Sequence, residues 1–456
     1  MRHDDPLAAS RPDDSMYLFY SATLALALAA GAPWFLYQGL RRGKYLGSLA
    51  ERFGQLPISF NLDGDPSIWV HAVSVGEVLA ARPLLDDLKP RYPGLRLFVS
   101  TTTVAAHQLA RRQLPEADGV FYFPLDLAWV VRRVLDRVRP RLLVLVEGEI
   151  WPNVLRECRR RGVRTAIVNG RVSSRSWRRY RLVRPLLRRV LDDVEAFCLQ
   201  SEEAVRRMTD IGADPARVTM TGSLKFDAVA LPVPSPNRHP REPVLRVLRT
   251  SPDRPVIVAG STMRGEELPL LRVFRRIKAA RPQALLVVAP RHADRFGEVV
   301  DLARGEGFAV ARRSELAVDA EPRADVVVLD TIGELAHVYQ IATVAFVGGS
   351  LVPTGGHNIL EPAVHGRPIV FGPSMSNFAE IAEAFLEHRA AVQVSDEREL
   401  EQLLTTLMGD PVRRAALGAA ARALVDAHRG ATRKTLQVLI RLLPAPAVVR
   451  PFRRVH

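Results

Sequence analysis

The chain has 456 residues, 47% of them apolar and 25% charged, a globular composition too long for one ordinary core, which excludes a fibrous or wholly disordered protein. Lys and Arg outnumber Asp and Glu by 64 to 49, a net charge of +15, so anionic partners are expected: nucleic acid, an acidic lipid surface or a phosphorylated substrate. Two cysteines, Cys158 and Cys198, stand far apart without metal-ligand spacing, which excludes a disulfide framework and a zinc site and fits a reducing compartment.

The first residues are polar and acidic, and no charge then occurs from Ser15 to Leu40. Such a stretch is long enough to cross a bilayer core of about 30 Å as a helix. Tyr17, Phe19 and Tyr20 flank it on one side and Trp34, Phe35 and Tyr37 on the other, with Arg41, Arg42 and Lys44 following. Aromatic edges and trailing cations predict an N-terminal anchor over residues 1–43, spanning at 16–40, with the rest of the chain on the cytoplasmic side. A cleaved signal peptide, the rival reading, wants a basic start, and this one is acidic.

From residue 44 to 228 short apolar strands alternate with helical patterns. Ile68–Ala72, Leu95–Ser100, Val120–Phe123, Leu142–Val146, Thr165–Val168, Ala196–Leu199 and Val218–Thr221 read as strands, which predicts a parallel sheet covered on both faces. Prolines 232, 234, 236, 240, 243, 252 and 255 mark a linker over 229–254. Alternation restarts from 255 to 456, with strands at Val256–Ala259, Leu285–Ala289, Val326–Leu329, Val344–Val347 and Ile369–Phe371 and a helical stretch from Glu397 to Leu443. The fold class expected is α/β: two doubly wound domains in series, with ligands beyond the carboxyl ends of the strands. Every polar cluster sits at such an end, so the clusters read as two faces of one cleft.

In the second half, Gly348–Glu361 reads as strand, glycine loop and helix start. Glycine lets a backbone approach a ligand closely, and a helix N-terminus suits a phosphate. Glu361, one turn in, suits ribose hydroxyls instead. The combination points to a nucleotide or nucleotide-sugar, against the alternative of an ordinary connection capped by Asn358. Ser261 and Thr262, then Arg291, then Gly333 and Glu334 end the other strands, and a guanidinium pairs well with phosphate. No Walker A sequence and no G-x-G-x-x-G follows the first strand of either half, which argues against an ATPase or an NAD enzyme.

In the first half, Glu77, Glu147 and Glu149 sit at strand ends. Glu77 follows a glycine turn at a helix start, where a carboxylate can act as general base on a hydroxyl or simply favour the helix dipole. Glu147 ends a wholly apolar strand, a costly place for a charge without a partner. Lys225 stands where a cation can stabilise a leaving phosphate or be an ordinary solvated lysine. From Arg156 to Arg189 there are thirteen arginines and one acid, Glu157, interleaved with Trp177, Tyr180, Leu182, Leu186 and Leu187. This basic amphipathic segment, with Arg171, Arg175, Arg178 and Arg179 among its cations, suits an anionic membrane surface or a phosphorylated lipid rather than nucleic acid.

The motifs resemble those of the 3-deoxy-D-manno-octulosonic acid (Kdo) transferases of lipid A assembly. They are His71-Ala72-Val73-Ser74-Val75-Gly76-Glu77, Glu147-Gly148-Glu149-Ile150-Trp151-Pro152-Asn153, Asn169-Gly170-Arg171 and Thr221-Gly222-Ser223-Leu224-Lys225-Phe226-Asp227. They continue with Ala289-Pro290-Arg291-His292, Asp330-Thr331-Ile332-Gly333-Glu334 and Gly355-Gly356-His357-Asn358-Ile359-Leu360-Glu361-Pro362, in family order from about residue 40 to about 430. The resemblance implies an inverting glycosyltransferase of GT-B architecture, two Rossmann-like domains facing a cleft, taking Kdo from CMP-Kdo to the lipid A precursor lipid IVA. It implies Glu77 as general base, Glu147 and Lys225 as transition-state supports, and a CMP site made by Ser261, Pro290, Arg291, Ile332, Gly333, Glu334, Asn358, Ile359, Leu360 and Glu361. It implies no metal at the transfer site and a place at the bacterial inner membrane, with Arg171, Arg175, Arg178 and Arg179 toward acceptor or membrane. Gly148 departs from the pattern, standing where Thr is expected. The other readings left open are a different nucleotide-sugar transferase or epimerase of the same architecture, and a non-catalytic protein that binds anionic lipid.

Overall fold

Branched apolar runs bounded by glycine and polar turns form two seven-stranded parallel sheets, because strands apolar on both faces are stable only when helices cover both. The computed structural model describes residues 14–42, 48–229, 254–316 and 322–444. Two units divide the chain, one of residues 1–228 with 429–456 and one of residues 229–428.

In the first unit the strands are β1 (Ser67–His71), β2 (Arg96–Thr101), β3 (Gly119–Tyr122), β4 (Pro140–Val146), β5 (Arg164–Gly170), β6 (Ala196–Leu199) and β7 (Val218–Met220). Their order is β3-β2-β1-β4-β5-β6-β7. Side chains alternate along each strand: Trp69, Leu143, Leu145 and Ile167 join one buried cluster, while Ile68, Val70, Val144, Val146 and Val168 join another. Winding reverses between β1 and β4, and such a reversal leaves an open crevice at the strands' carboxyl ends. Glu77, at the start of the helix Val75–Arg91 that follows β1, and Glu147, in the turn after β4, stand at these ends.

The second unit repeats the plan with β8 (Val256–Thr262), β9 (Leu285–Pro290), β10 (Val310–Arg312), β11 (Val326–Val328), β12 (Val344–Val347), β13 (Ile369–Phe371) and β14 (Val392–Gln393), in the order β10-β11-β9-β8-β12-β13-β14. Its reversal lies between β8 and β12. Ser261 stands at the carboxyl end of β8, the turn after β12 begins the glycine loop, and β9 beside them ends at Pro290, next to Arg291.

At the N-terminus, the uncharged stretch lies in one helix, Asp14–Arg42. The expected membrane span is nevertheless not supported, because among the described residues no helix is long and apolar enough to cross a membrane. The first turns of this helix are tied to the first unit by polar contacts. Tyr17 Oη donates to Asp193 Oδ2 at 2.9 Å, Tyr20 Oη to Asp126 Oδ2 at 2.9 Å, and Ser21 Oγ meets Asn153 Oδ1 at 3.2 Å. Leu18, Phe19 and Leu26 remain about three-quarters exposed. The side chains of Trp34, Phe35 and Tyr37, the proline run from 232 to 252 and residues 445–456 lie outside the described residues.

The last helix, Ala431–Leu442, was expected in the second domain but packs in the first unit. Leu436, Leu439 and Leu443 bury themselves in the same apolar cluster as Ala81, Leu84 and Leu85 of the helix Val75–Arg91. Asp227 caps it by accepting from the amides of Gly430 at 2.8 Å and Thr432 at 2.6 Å. Replacing Asp227 with Ala should cost about 1–2 kcal/mol and speed amide exchange across Thr432–Leu439. Unchanged exchange there would mean that the apolar face alone holds the helix.

Candidate active site

In the first unit, three carboxylates, two cations and a histidine gather at the ends of β1, β4 and β5. Ser74 caps the helix Val75–Arg91, accepting from the Glu77 amide. Glu77 Oε1 accepts from Ser74 Oγ at 2.9 Å and Oε2 from the Val73 amide at 2.8 Å. These bonds tie Glu77 back to the start of its own helix, as a capping box does, though through the Val73 amide rather than that of the cap residue Ser74, so Glu77 has a structural role. It does not exclude the chemical one. Glu77 is 8% exposed, and burial, followed by the nearby charge of Glu147, pushes its pKa up to about 7, against the pull of the Val73 and Ser74 hydrogen bonds. A carboxylate so tuned takes up a proton near neutrality, as a general base must.

Glu147 stands in the left-handed region at φ +71°, an uncommon conformation for a residue with a side chain. It is held there from several sides. Its amide donates to Val168 O at 2.9 Å and its carbonyl accepts from the Arg171 amide at 3.0 Å. Its Oε1 lies 2.8 Å from Lys225 Nζ and its Oε2 3.2 Å from Arg171 Nε. Lys225 is placed by Asn169, whose Oδ1 accepts from the Leu224 amide at 2.9 Å. Glu147, Lys225 and Arg171 therefore form one cluster, and Lys225 is paired rather than solvated.

Sequence reasoning gave His71 no role. It is 1% exposed, its ring is stacked on Phe123 at 3.7 Å, and its Nδ1 lies 3.0 Å from Ser100 Oγ. Its Nε2 has no hydrogen bond and points to Glu149 Oε2 at 3.7 Å, where Trp151 Nε1 also donates at 3.1 Å. Burial lowers the His71 pKa, against the pull of Glu149, which favours the neutral ring. A histidine inside an apolar strand pattern gives no local sign of this arrangement, which depends on β1 lying beside β4.

In the second unit, Arg291, His357, Asn358 and Glu361 come together. The Arg291 amide donates to Thr262 O at 3.0 Å, locking the end of β9 to that of β8. Burial raises the Glu361 pKa to about 7, opposed by Asn358 and by the charge of Arg291. Burial also lowers His357 to about 4, helped by Arg291 and His292. Asn358 Nδ2 lies 3.4 Å from Glu361 Oε1, and Asn358 Oδ1 accepts from the Leu360 amide at 3.1 Å. Ser261 takes φ +55°. Its carbonyl lies 2.6 Å from where a Cβ on Gly348 would fall, so glycine is required there. The turn Ile332-Gly333-Glu334 ends β11, beside β9. Ile332 is 87% exposed, while Glu334 is engaged by Arg313 at 3.1 Å and by Thr331.

Two features of the glycine loop differ from expectation. The helix it was expected to open is one turn, Leu360–Ala363, too short to build a substantial dipole. The first glycine pair does not offer its amides to a ligand. Gly348 N donates to Gly260 O at 2.8 Å, and Gly349, Ser350 and Leu351 all donate to the carboxylate of Glu266. The polar side chains that come together near Arg291 belong to the second part of the loop, from His357 to Glu361.

Of the expected acceptor-side arginines, only Arg171 joins the Glu147–Lys225 cluster. Arg175, Arg178 and Arg179 lie on the surface helix Ser174–Leu182, which buries no residue, followed by Leu182, Val183 and Leu186 at 84%, 45% and 48% exposure.

A family model of 3-deoxy-D-manno-octulosonic-acid transferase (kdotransferase) matches residues 47–228. The 3-deoxy-D-manno-octulosonic acid transferase of Bordetella pertussis is 36% identical over 432 residues, covering 91% of this chain and 97% of that protein. Its counterpart in Haemophilus influenzae is 32% identical over 429 residues, covering 92% and 97%. The chain belongs to the Kdo transferase family. It is a glycosyltransferase. A crystal structure of UDP-N-acetylglucosamine 2-epimerase aligns with TM-score 0.56 at 13% identity, over 82% of this chain and 95% of that one, and at that identity the likeness speaks for the two-domain GT-B fold alone.

The Kdo transferase motif at Glu147–Asn153 departs from expectation at Gly148, and the structure explains why glycine suits this chain. A Cβ there would meet the Arg171 carbonyl at 2.8 Å, the same residue whose side chain holds Glu147. The raised pKa of Glu77 has a measurable consequence for this transferase. The folded state keeps the Glu77 proton to higher pH than the unfolded chain does, so stability is lost as pH rises from about 4.5 through about 7. Glu77→Gln carries no such charge. Its stability relative to wild type should rise between pH 5 and pH 8, by up to about 3 kcal/mol. A difference in melting temperature that stays constant across that range would show that the carboxyl is not perturbed.

Proposed function

We propose that this chain transfers Kdo from CMP-Kdo to lipid IVA with inversion, Glu77 taking the proton from the acceptor hydroxyl. The observation that carries the reading is Glu77 itself, a buried carboxyl with a pKa of about 7 beside the Glu147–Lys225–Arg171 cluster, in a chain of the Kdo transferase family. As the hydroxyl attacks the anomeric carbon from the face opposite CMP, its proton passes to a Glu77 oxygen and the bond from the anomeric carbon to the phosphate oxygen breaks. Glu147 holds Lys225 and Arg171 in place, so two cations remain at the strand ends to favour negative charge that develops there. In the donor site Arg291 pairs with the phosphate, Glu361 and Asn358 take the ribose hydroxyls, and Ser261, Pro290, Ile332, Gly333, Glu334, Ile359 and Leu360 shape the seat. No metal takes part in this scheme.

The acceptor is a lipid, and the proposed location is the cytoplasmic face of the inner membrane. In support, Arg175, Arg178, Arg179, Arg181 and Arg184 surround exposed Leu182, Val183 and Leu186, a pattern that places apolar side chains at the acyl boundary and guanidinium groups at anionic headgroups. Exposed Leu18, Phe19 and Leu26 of the N-terminal helix add a second apolar contact.

The decisive assay is mass spectrometry of lipid IVA incubated with CMP-Kdo. Wild type should add Kdo, and Glu77→Gln should lose about 100-fold or more, the usual contribution of a general base. For wild type, kcat/KM should fall as pH drops below about 7, and EDTA should leave the rate unchanged. Equal product from the variant would remove Glu77 from its role. No product from folded wild type would remove the donor or the acceptor. Binding to phosphatidylglycerol vesicles should weaken with salt and weaken further in Leu182→Asp/Leu186→Asp. Equal binding by that variant would place the membrane contact elsewhere.

A further inference from the structure

Two adjacent carboxylates, Glu266 and Glu267, stand at the start of the helix Glu267–Ala280, at 0% and 1% exposure. Neither belongs to any motif considered so far, and each is held by hydrogen bonds. Glu266 Oε1 accepts from the amides of Ser350 and Leu351, both at 2.9 Å. Its Oε2 accepts from Gly349 N at 2.7 Å and Met263 N at 2.8 Å. A carboxylate has about four acceptor positions, and four backbone amides fill them. Glu267 forms a two-pronged pair with Arg295, Oε1 to Nη1 at 2.8 Å and Oε2 to Nη2 at 3.2 Å.

The two side chains hold two different loops of the same site. From Glu266 the connection runs through one residue. Gly349 gives its N–H to Glu266, and its carbonyl accepts from Gly356 N at 2.7 Å and Thr354 Oγ1 at 2.9 Å. Gly356 directly precedes His357 and Asn358. A second route passes through Ser350, whose carbonyl accepts from Ser374 N at 2.9 Å, while Ser374 Oγ accepts from Gly355 N at 3.0 Å. From Glu267 the connection runs through Arg295, whose amide donates to His292 O at 3.1 Å, next to Arg291. One helix start thus fixes both the segment 355–361 and the segment 290–292.

We propose that Glu266 and Glu267 form a tandem clamp that presets the donor-nucleotide site, with Glu266 a positioning residue that governs nucleotide affinity without touching the nucleotide. The proposal rests on the reading of the second unit as the CMP site. Glu266 is not a candidate for direct contact, because it is fully buried and has no acceptor position left. Only a carboxylate of this length fits the role. Gln would turn an NH₂ group toward backbone N–H donors, leaving them unsatisfied in a buried place, and Asp would fall one methylene short.

The test uses the full chain. CMP binding is measured by calorimetry, and the KM values for CMP-Kdo and for lipid IVA are measured separately, in wild type, Glu266→Gln and Glu266→Asp. Glu266→Gln should bind CMP about tenfold more weakly or worse, with a raised donor KM and an unchanged acceptor KM. Glu266→Asp should fall between. A general loss of stability would move both KM values or neither, so the split identifies positioning. Folded Glu266→Gln with CMP affinity within about twofold of wild type overturns the clamp. Should both variants fail to fold, hydrogen exchange on nucleotide-free wild type decides. The amides of Gly349, Ser350, Leu351 and Gly356 should be strongly protected before CMP is added, and free exchange there overturns the proposal. Wild type that does not bind CMP while those amides are protected would sink the nucleotide assignment and leave the preset loop standing.

Discussion

A parallel strand covered on both faces has nowhere to keep a charge along its length, and this protein is arranged around that constraint. All five residues of β1 and all four of β12 are buried. Polar chemistry is therefore displaced to the strand ends, and the crevice where the winding reverses collects it. In the first unit that crevice receives Glu77 after β1 and Glu147 after β4. In the second it receives Ser261 at the end of β8 and the glycine loop after β12. The same rule applied twice gives two sites of different chemistry on one architecture.

Within those sites one residue type is used in three ways, and hydrogen-bonding partners decide which. Glu266 has four amides and no solvent, and it organises a loop. Glu147 has two cations, Lys225 and Arg171, and it holds them together at the strand ends. Glu77 has one amide and one hydroxyl, against burial and a neighbouring carboxylate. It is the least well compensated of the three, which is why its proton affinity shifts toward neutrality. The proposed base is thus the carboxylate the fold leaves most in need of a proton.

What was legible in the chain follows the range of the forces involved. Strand positions were readable because β-branched apolar runs state their own burial, and the placing of Glu77 and Glu147 at strand ends followed from local pattern. The pairing of Lys225 with Glu147 was not readable, because it depends on Asn169, far away in sequence, receiving the Leu224 amide. The glycine loop was read as a phosphate cradle from its composition. The structure gives the amides of Gly349, Ser350 and Leu351 to Glu266, more than eighty residues earlier, and no local pattern announces that. The apolar N-terminal stretch announced a helix and formed one. Its use was less predictable, since Tyr17, Tyr20 and Ser21 find their partners on the first unit.

Gly148 shows how a departure from a family pattern can be consistent with the function it seems to threaten. The expected residue there is a threonine, and its loss from a catalytic motif would ordinarily weaken the assignment of the glutamate before it. Yet the neighbouring backbone leaves no space for a Cβ, because the Arg171 carbonyl would lie 2.8 Å away. That approach is the one that lets the Arg171 amide reach Glu147 O at 3.0 Å and the Arg171 side chain reach the Glu147 carboxylate at 3.2 Å. Glycine at 148 and arginine at 171 therefore act together to hold Glu147 at its left-handed φ. The side chain lost at one position is replaced by main-chain contact from the other, and the charge cluster stays intact.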